Sequence, residues 1–337
     1  MRILVCEFVT GGGMPPETPI PASLAREGDL MLRALVGDLL DVPGVAVTVT
    51  RDARLAPLPP PVRSITVSDT RESWALWEEL SRTVDAVWPI APETDGAMER
   101  VCRLVEASDR RLLASRADAV AVTASKAATA DALAEVGLPV VQTWRAADLN
   151  DPPVDGPWVV KPDDGAGCAD TLCLRDRATW VQWRGAGDRS GFIVQPFVPG
   201  TPASLSMLCR DGRAWPLTAN RQDVALSGAA FSYRGGVVAG LAWSPKLRVL
   251  ARGVAEALPG LFGSVGVDFI AGADGPVILE VNPRLTTSYV GLRRATGMNV
   301  AAAVLGLAQE PPLIPGPVER VEPVHVNLEE TAWSPAD

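Results

Sequence analysis

Residues 266–288 read GVDFIAGADGPVILEVNPRLTTS. Two apolar runs, Gly266–Ala271 and Val277–Asn282, flank a turn around Asp274-Gly275, a pattern that predicts a β-hairpin. Glu280 and Asn282 are two apart on the second strand, so both side chains point to one face. Asp268 joins that face only if the connecting loop has an odd residue count; five residues, 271–275, would set it diagonal to Glu280. Two carboxylates and an amide oxygen with Arg284 behind them make an oxygen-rich magnesium site, able to hold one or two ions through phosphate oxygens. The bland alternative is a hairpin whose polar face is solvated. Asn-Pro-Arg directly after an acidic strand end favours the site.

Working outward, the basic partners come next. The chain has only three lysines, Lys126, Lys161 and Lys246, which hints at point-charge roles for those retained. Lys161 ends a strand, Trp158–Lys161, and precedes the small-residue loop Asp163–Asp170, where the amides around Gly165 and Gly167 suit a phosphate. Lys126 opens a helix capped by Ser125 and running to Val136, expected to follow a strand at Val120–Val122. In Gln195-Pro-Phe197-Val198-Pro-Gly200, Phe197 and Val198 follow the strand Phe192–Gln195. They suit the walls of an aromatic-ring slot whose edge the backbone at 197 and 198 would read. A core strand end followed by a turn fits this stretch equally well.

Composition limits the chemistry. The 337 residues are 47% hydrophobic and 21% charged, with a net charge of −9, which argues against a general binder of nucleic acid or anionic membranes. The lone histidine, His325, makes Ser-His-Asp, Cys-His and multi-histidine zinc sites improbable. Five cysteines are an odd number and too sparse for a disulfide framework, which suggests free thiols in a reducing cytoplasm. No apolar run approaches a membrane span, so a cytoplasmic protein is expected. The ten tryptophans fit a core better than an interface, leaving a homodimer as a weak expectation.

The first third alternates strands and helices. Strands are expected at Arg2–Phe8, Val45–Thr50 and Ala86–Ile90, and helices at Asp29–Leu40 and through Met98–Val105, which indicates a mostly parallel α/β sheet. Residues 51–63 are proline-rich and read as an irregular connection. Beyond about residue 123 the pattern becomes α+β, with several short strands in 204–240 and a helix over Ser244–Leu258.

The order Lys126, Lys161-Pro-x-x-Gly165-x-Gly167, Gln195-x-Phe197-Val198-x-Gly200, Asp268 and Glu280-x-Asn282-Pro-Arg284 resembles the ATP-grasp superfamily. The resemblance covers roughly residues 120–310. It implies an N-terminal parallel-sheet domain (1–118) and two ATP-clasping subdomains (119–190 and 191–337). It also implies an acyl-phosphate route from carboxylate and amine to amide, with ATP and Mg2+ (Mn2+ as a substitute). By the same resemblance Lys126 and Lys161 contact phosphate, Gln195, Phe197 and Val198 form the adenine hinge, and Asp268, Glu280 and Asn282 hold magnesium. Arg284 stands beside the transferred phosphoryl. The chain departs from the pattern after the hinge, where Thr201-Pro-Ala-Ser204 replaces the usual ribose-binding acid, leaving Asp163, Asp164 or Ser204 as candidates.

Within the superfamily the chain resembles tyramine–glutamate ligases of methanofuran biosynthesis. The matching features are Glu7-Phe8 before a glycine turn, Glu27-Gly28-x-x-Met31, Ile90-Ala-Pro-Glu93, and the run from Asn282 to Ser288. This implies glutamate as carboxylate and tyramine or a tyrosine-like amine. Substrate candidates are Glu7 and Gly12 at the end of the first strand, where open sheets bind ligands, Arg221 with Gln222, and Thr286, Thr287 and Ser288. The alternatives are a dipeptide or D-alanine-type ligase and a non-catalytic ATP-binding regulator.

Overall fold

The computed structural model describes residues 1–152, 154–318 and 320–328. The apolar run after Met1 is the centre of a five-stranded parallel sheet: β1 (Arg2–Glu7), β2 (Ala46–Asp52), β3 (Arg63–Val67), β4 (Ala86–Ile90) and β5 (Arg111–Leu112), ordered β3-β2-β1-β4-β5. β1 is paired on both sides, and its residues alternate between two cores. Ile3 and Val5 pack with α1 (Ala22–Leu40), whereas Leu4 and Cys6 pack with α2 (Ser73–Thr83) and α3 (Ala97–Ala107). A strand covered on both faces has no polar side, which is why its sequence reads as one apolar run.

α1 begins at Ala22 rather than at Asp29. Gly28 looks like a break, but it lets the helix pass the Glu7 carboxyl: a Cβ there would lie 2.7 Å from Glu7 Oε1. The stretch expected as a strand at 120–122 belongs instead to a helix, α4 (Ala117–Ala124), followed at once by α5 (Lys126–Glu135). Valines at 120 and 122 imitate strand alternation. Ala117, Val120 and Thr123 nevertheless recur at threes on the buried face, and the alanines favour helix. Ser125 caps α5 by accepting from the Ala128 N–H, a contact of about 1 kcal/mol.

The second sheet is antiparallel. A smaller portion holds β6 (Trp144–Arg145), β7 (Trp158–Pro162), β8 (Leu172–Leu174) and β9 (Phe192–Pro196), backed by α6 (Arg177–Gly185) through Trp158, Trp180 and Trp183. β9 pairs with β7 and β6, so the strand after residue 190 continues this portion. The larger portion holds β10 (Thr201–Arg210), β11 (Arg213–Ser227), β12 (Ala230–Leu241), β13 (Gly263–Gly272), β14 (Gly275–Asn282) and β15 (Val324–Asn327). The two meet where Ala230 of β12 pairs with Leu172 of β8.

The strands of 204–240 are long, not short: β10, β11 and β12 have 10, 15 and 12 residues. Register shifts near Ser206, Ala219 and Asp223 let them bend without ending. α7 (Pro245–Ala257) starts as expected, with Ser244 as cap and Pro245 in the first turn, and packs on β10, β13 and β14. α8 (Tyr289–Thr296) and α9 (Val300–Leu307) share one core with α1 and the first sheet. Among the described residues no helix is long and apolar enough to cross a membrane.

The β13–β14 hairpin differs from its expected register. Gly272 faces Gly275, so the turn is the two-residue Ala273-Asp274, an even count that would set Asp268 opposite Leu279. Leu279 is an extra residue between the pairs Phe269–Ile278 and Asp268–Glu280. This bulge restores the parity, and Asp268 stands directly opposite Glu280 rather than diagonal to it.

Candidate active site

A cleft of about 400 Å³ is lined by both portions of the second sheet and by α1. One part of its wall is apolar, with Val159, Phe197, Val198, Leu226, Phe231 and Ile270. The polar wall includes Lys126, Lys161, Gly165, Gly167, Gln195, Asp268, Glu280, Asn282, Arg284, Thr286, Thr287 and Ser288. Residues as far apart in sequence as 126 and 288 therefore meet at one cleft.

The hairpin supplies the acidic corner. Asp268 accepts from Gln222 Nε2 at 2.9 Å and from Asn282 Nδ2 at 3.2 Å, and it faces Glu280 across the hairpin. Glu280 Oε2 lies 3.4 Å from Lys126 Nζ and 3.7 Å from Lys161 Nζ. Burial opposes charge on both acids. The two lysines overcome it at Glu280, whose pKa is held at about 2, whereas burial and the Glu280 charge push Asp268 up to about 8. Burial likewise lowers Lys161, against the pull of Glu280.

This donor set fits a hard divalent cation. Two facing carboxyls and the oxygen of a nearby amide suit magnesium and manganese, and a cation there would offset the burial and the Glu280 charge that disfavour a charged Asp268. Among the described residues no three His, Cys, Asp or Glu side chains form a metal cluster. Such an ion would complete its shell with phosphate oxygens and water, as magnesium commonly does.

Lys126 bridges to the glycine loop, its Nζ donating to the Gly165 carbonyl at 2.5 Å and the Asp163 carbonyl at 3.3 Å. Asp163 is occupied at the start of α5, accepting from Ser125 Oγ at 2.7 Å and Ala127 N–H at 2.9 Å. Asp164 accepts from the Asp95 N–H at 3.0 Å. Of the three ribose candidates, Ser204 alone lines the cleft. Gln195 donates to Thr143 Oγ1 at 3.0 Å. The Phe197 N–H is taken by the Pro157 carbonyl at 2.9 Å, so it is not available to read a ring edge.

Three substrate candidates lie off this cleft. Glu7 is buried, its carboxyl holding Val9 N–H and the N–H and hydroxyl of Thr10, so it fixes the loop after β1. Gly12 has φ +100, and a Cβ there would meet Val67 at 2.8 Å, so its role is backbone packing. Arg221 faces a separate crevice beside Gly236 and Val326, and its neighbour Gln222 serves Asp268. Three residues outside the expected set stand at or behind the site: Glu27 of α1 and Tyr233 of β12 on the cleft wall, and Glu93, which pairs with Arg284 Nη2 at 2.8 Å. Glu27 and Glu93 both fall in the motifs of the family resemblance, the only signal that marks them.

A family model described as an ATP-grasp domain matches residues 123–288, and a pre ATP-grasp 3 domain matches residues 45–120. The chain belongs to the ATP-grasp family. The ATP-grasp chain is 26% identical over 215 residues to a tyramine–L-glutamate ligase of Methanocaldococcus jannaschii, a match covering 63% of this chain and 60% of that protein. The chain thus spans less than two thirds of that relative's length. A tyramine–L-glutamate ligase of Methanocaldococcus fervens is 23% identical over 296 residues, covering 86% of this chain and 89% of the relative. Among solved structures, an ATP-grasp superfamily protein from Archaeoglobus fulgidus superposes with a TM-score of 0.70 at 24% identity, covering 96% of this chain and 91% of that one. This last likeness concerns the fold.

Proposed function

We propose that the chain joins a carboxylate to an amine at the expense of ATP, through an acyl phosphate, with glutamate as carboxylate and tyramine or a tyrosine-like amine as acceptor. The observation that carries this reading is the convergence of Lys126, Lys161, Asp268, Glu280, Asn282 and Arg284 on one cleft. The substrate assignment draws on the two named relatives, and a place in methanofuran-type cofactor biosynthesis goes with it. In this reading residues 1–118 contribute to substrate binding, and the two portions of the second sheet clasp the nucleotide.

The apolar wall at Phe197 and Val198 takes the adenine. Lys126, Lys161 and the Gly165–Gly167 loop hold the phosphates; Asp268, Glu280 and Asn282 would hold magnesium, which would supply positive charge against the phosphate oxygens. Arg284 faces that group and stabilises the charge that develops as the substrate carboxylate attacks it. The amine then displaces phosphate from the acyl carbon and loses one proton, to water or to the released phosphate. None of these steps requires a histidine.

The test is phosphate release against a panel of amino acids and aromatic amines, with products identified by mass spectrometry. Amide from a glutamate and tyramine or tyrosine pair supports the full reading. Amide from a different pair retains the ligase and replaces the substrates. Nucleotide binding without amide from any pair favours a regulatory protein.

A further inference from the structure

Glu27 reaches the cleft wall from α1. One of its oxygens accepts a hydrogen bond from Thr287 Oγ1, and Tyr233 lines the same wall. The charge of Glu27 is felt by Arg284, Cys168 and Tyr233, which places it beside the reacting end of the cleft. The neighbouring carboxyls are matched within the protein: Glu280 by two lysines, Glu93 by Arg284, and Asp268 by two amides. Among the described residues Glu27 makes no ion pair, and Arg284, the cation that feels its charge, is already paired with Glu93.

We infer that Glu27 recognises a primary ammonium group on a substrate, with the Tyr233 and Thr287 hydroxyls as companion acceptors. This rests on the ligase reading for the identity of the substrates, but not for the binding itself. A half-buried carboxylate on a cleft wall that makes no ion pair of its own favours a cationic ligand. A primary ammonium has three donors, enough for the carboxylate and both hydroxyls, whereas a quaternary ammonium has none. Two substrates can bring such a group: the α-ammonium of a carboxylate-donating amino acid, or the amine acceptor before it loses its proton.

The test uses the full chain saturated with magnesium and a non-hydrolysable ATP analogue, titrated calorimetrically with L-glutamate, glutarate, tyramine, L-tyrosine and the other common amino acids. Glu27→Gln keeps an acceptor for Thr287 and removes only the charge. We expect it to retain the wild-type melting temperature and nucleotide affinity. It should bind the ammonium-bearing ligand about ten- to a hundredfold more weakly, as expected for loss of one charged hydrogen bond. Weakening toward L-glutamate but not glutarate identifies the donor's ammonium, and weakening toward tyramine identifies the acceptor's. Unchanged binding in Glu27→Gln, or no ammonium compound bound by the wild type, overturns the inference. Ammonium binding without amide formation by the wild type would refute the ligase reading and leave this site standing.

Discussion

Arg284 of the hairpin motif is held by Glu93 of the turn after β4, Nη2 to Oε2 at 2.8 Å, with side chains only 11% and 8% exposed. The pair links positions 191 residues apart. Burial works against the charge on Arg284, and the Glu93 carboxylate sustains it. The next two residues grip the glycine loop: Thr94 Oγ1 donates to the Asp164 carbonyl at 3.1 Å and the Asp95 N–H to the Asp164 carboxylate at 3.0 Å. One short turn of the N-terminal unit thus fixes both the arginine and the loop.

Breaking one side of this pair leaves a buried charge alone. Glu93→Ala should therefore lose about 3–5 kcal/mol of stability in urea denaturation. The double variant Glu93→Leu/Arg284→Met should regain most of that loss while forming no amide. Activity in the double variant would show that Arg284 serves only the fold.

Glu280 sits opposite Asp268 and beside two lysines, so its charge serves both the cation and the phosphate-binding amines. Glu280→Gln should lower amide formation by at least about a hundredfold, comparable to losing an electrostatic contact made in the transition state. Steady-state rates at saturating ATP and magnesium check this. Turnover near the wild-type rate would remove Glu280 from the site.

Cys168 lines the cleft and is partly exposed, whereas the other four cysteines are buried. Burial and the Glu280 charge push its thiol up to about 11. Since the thiolate is the nucleophile, alkylation should be slow at pH 7 and rise about tenfold per pH unit until pH approaches 11. Bound nucleotide should protect it. Peptide mass spectrometry after timed iodoacetamide treatment reads both effects.

Gly200 follows the hinge with φ +153, and a Cβ there would lie 2.5 Å from Ile270 Cγ2 and 2.7 Å from the Ala271 carbonyl. Gly200→Ala should cost about 1–3 kcal/mol of stability from backbone strain and weaken ATP binding. Denaturation and nucleotide titration together measure it.

The β13–β14 hairpin, the strands ending near Lys161 and Gln195 and the helix start at Lys126 were legible in sequence because apolar runs, turn residues and a capping serine mark them. The Asp268–Glu280 register was not, since it depends on a bulge at Leu279 that periodicity does not mark. α4 was read as a strand because eight residues with alternating valines satisfy either period, and burial against α3 and β14 decides the outcome. Glu7 looked like a substrate group by position, yet its carboxyl is consumed by local N–H groups. Glu27 and Glu93 gain their roles from residues more than 190 positions away, a relation that no local pattern carries.

The most direct test of the central claim is the nucleotide balance of the reaction. Wild-type protein is incubated with magnesium, ATP and the amino acid and amine panel, and the products are quantified by chromatography and mass spectrometry. An acyl-phosphate ligase yields amide, ADP and phosphate in equal amounts. AMP with pyrophosphate, or no amide from any pair, would contradict the account.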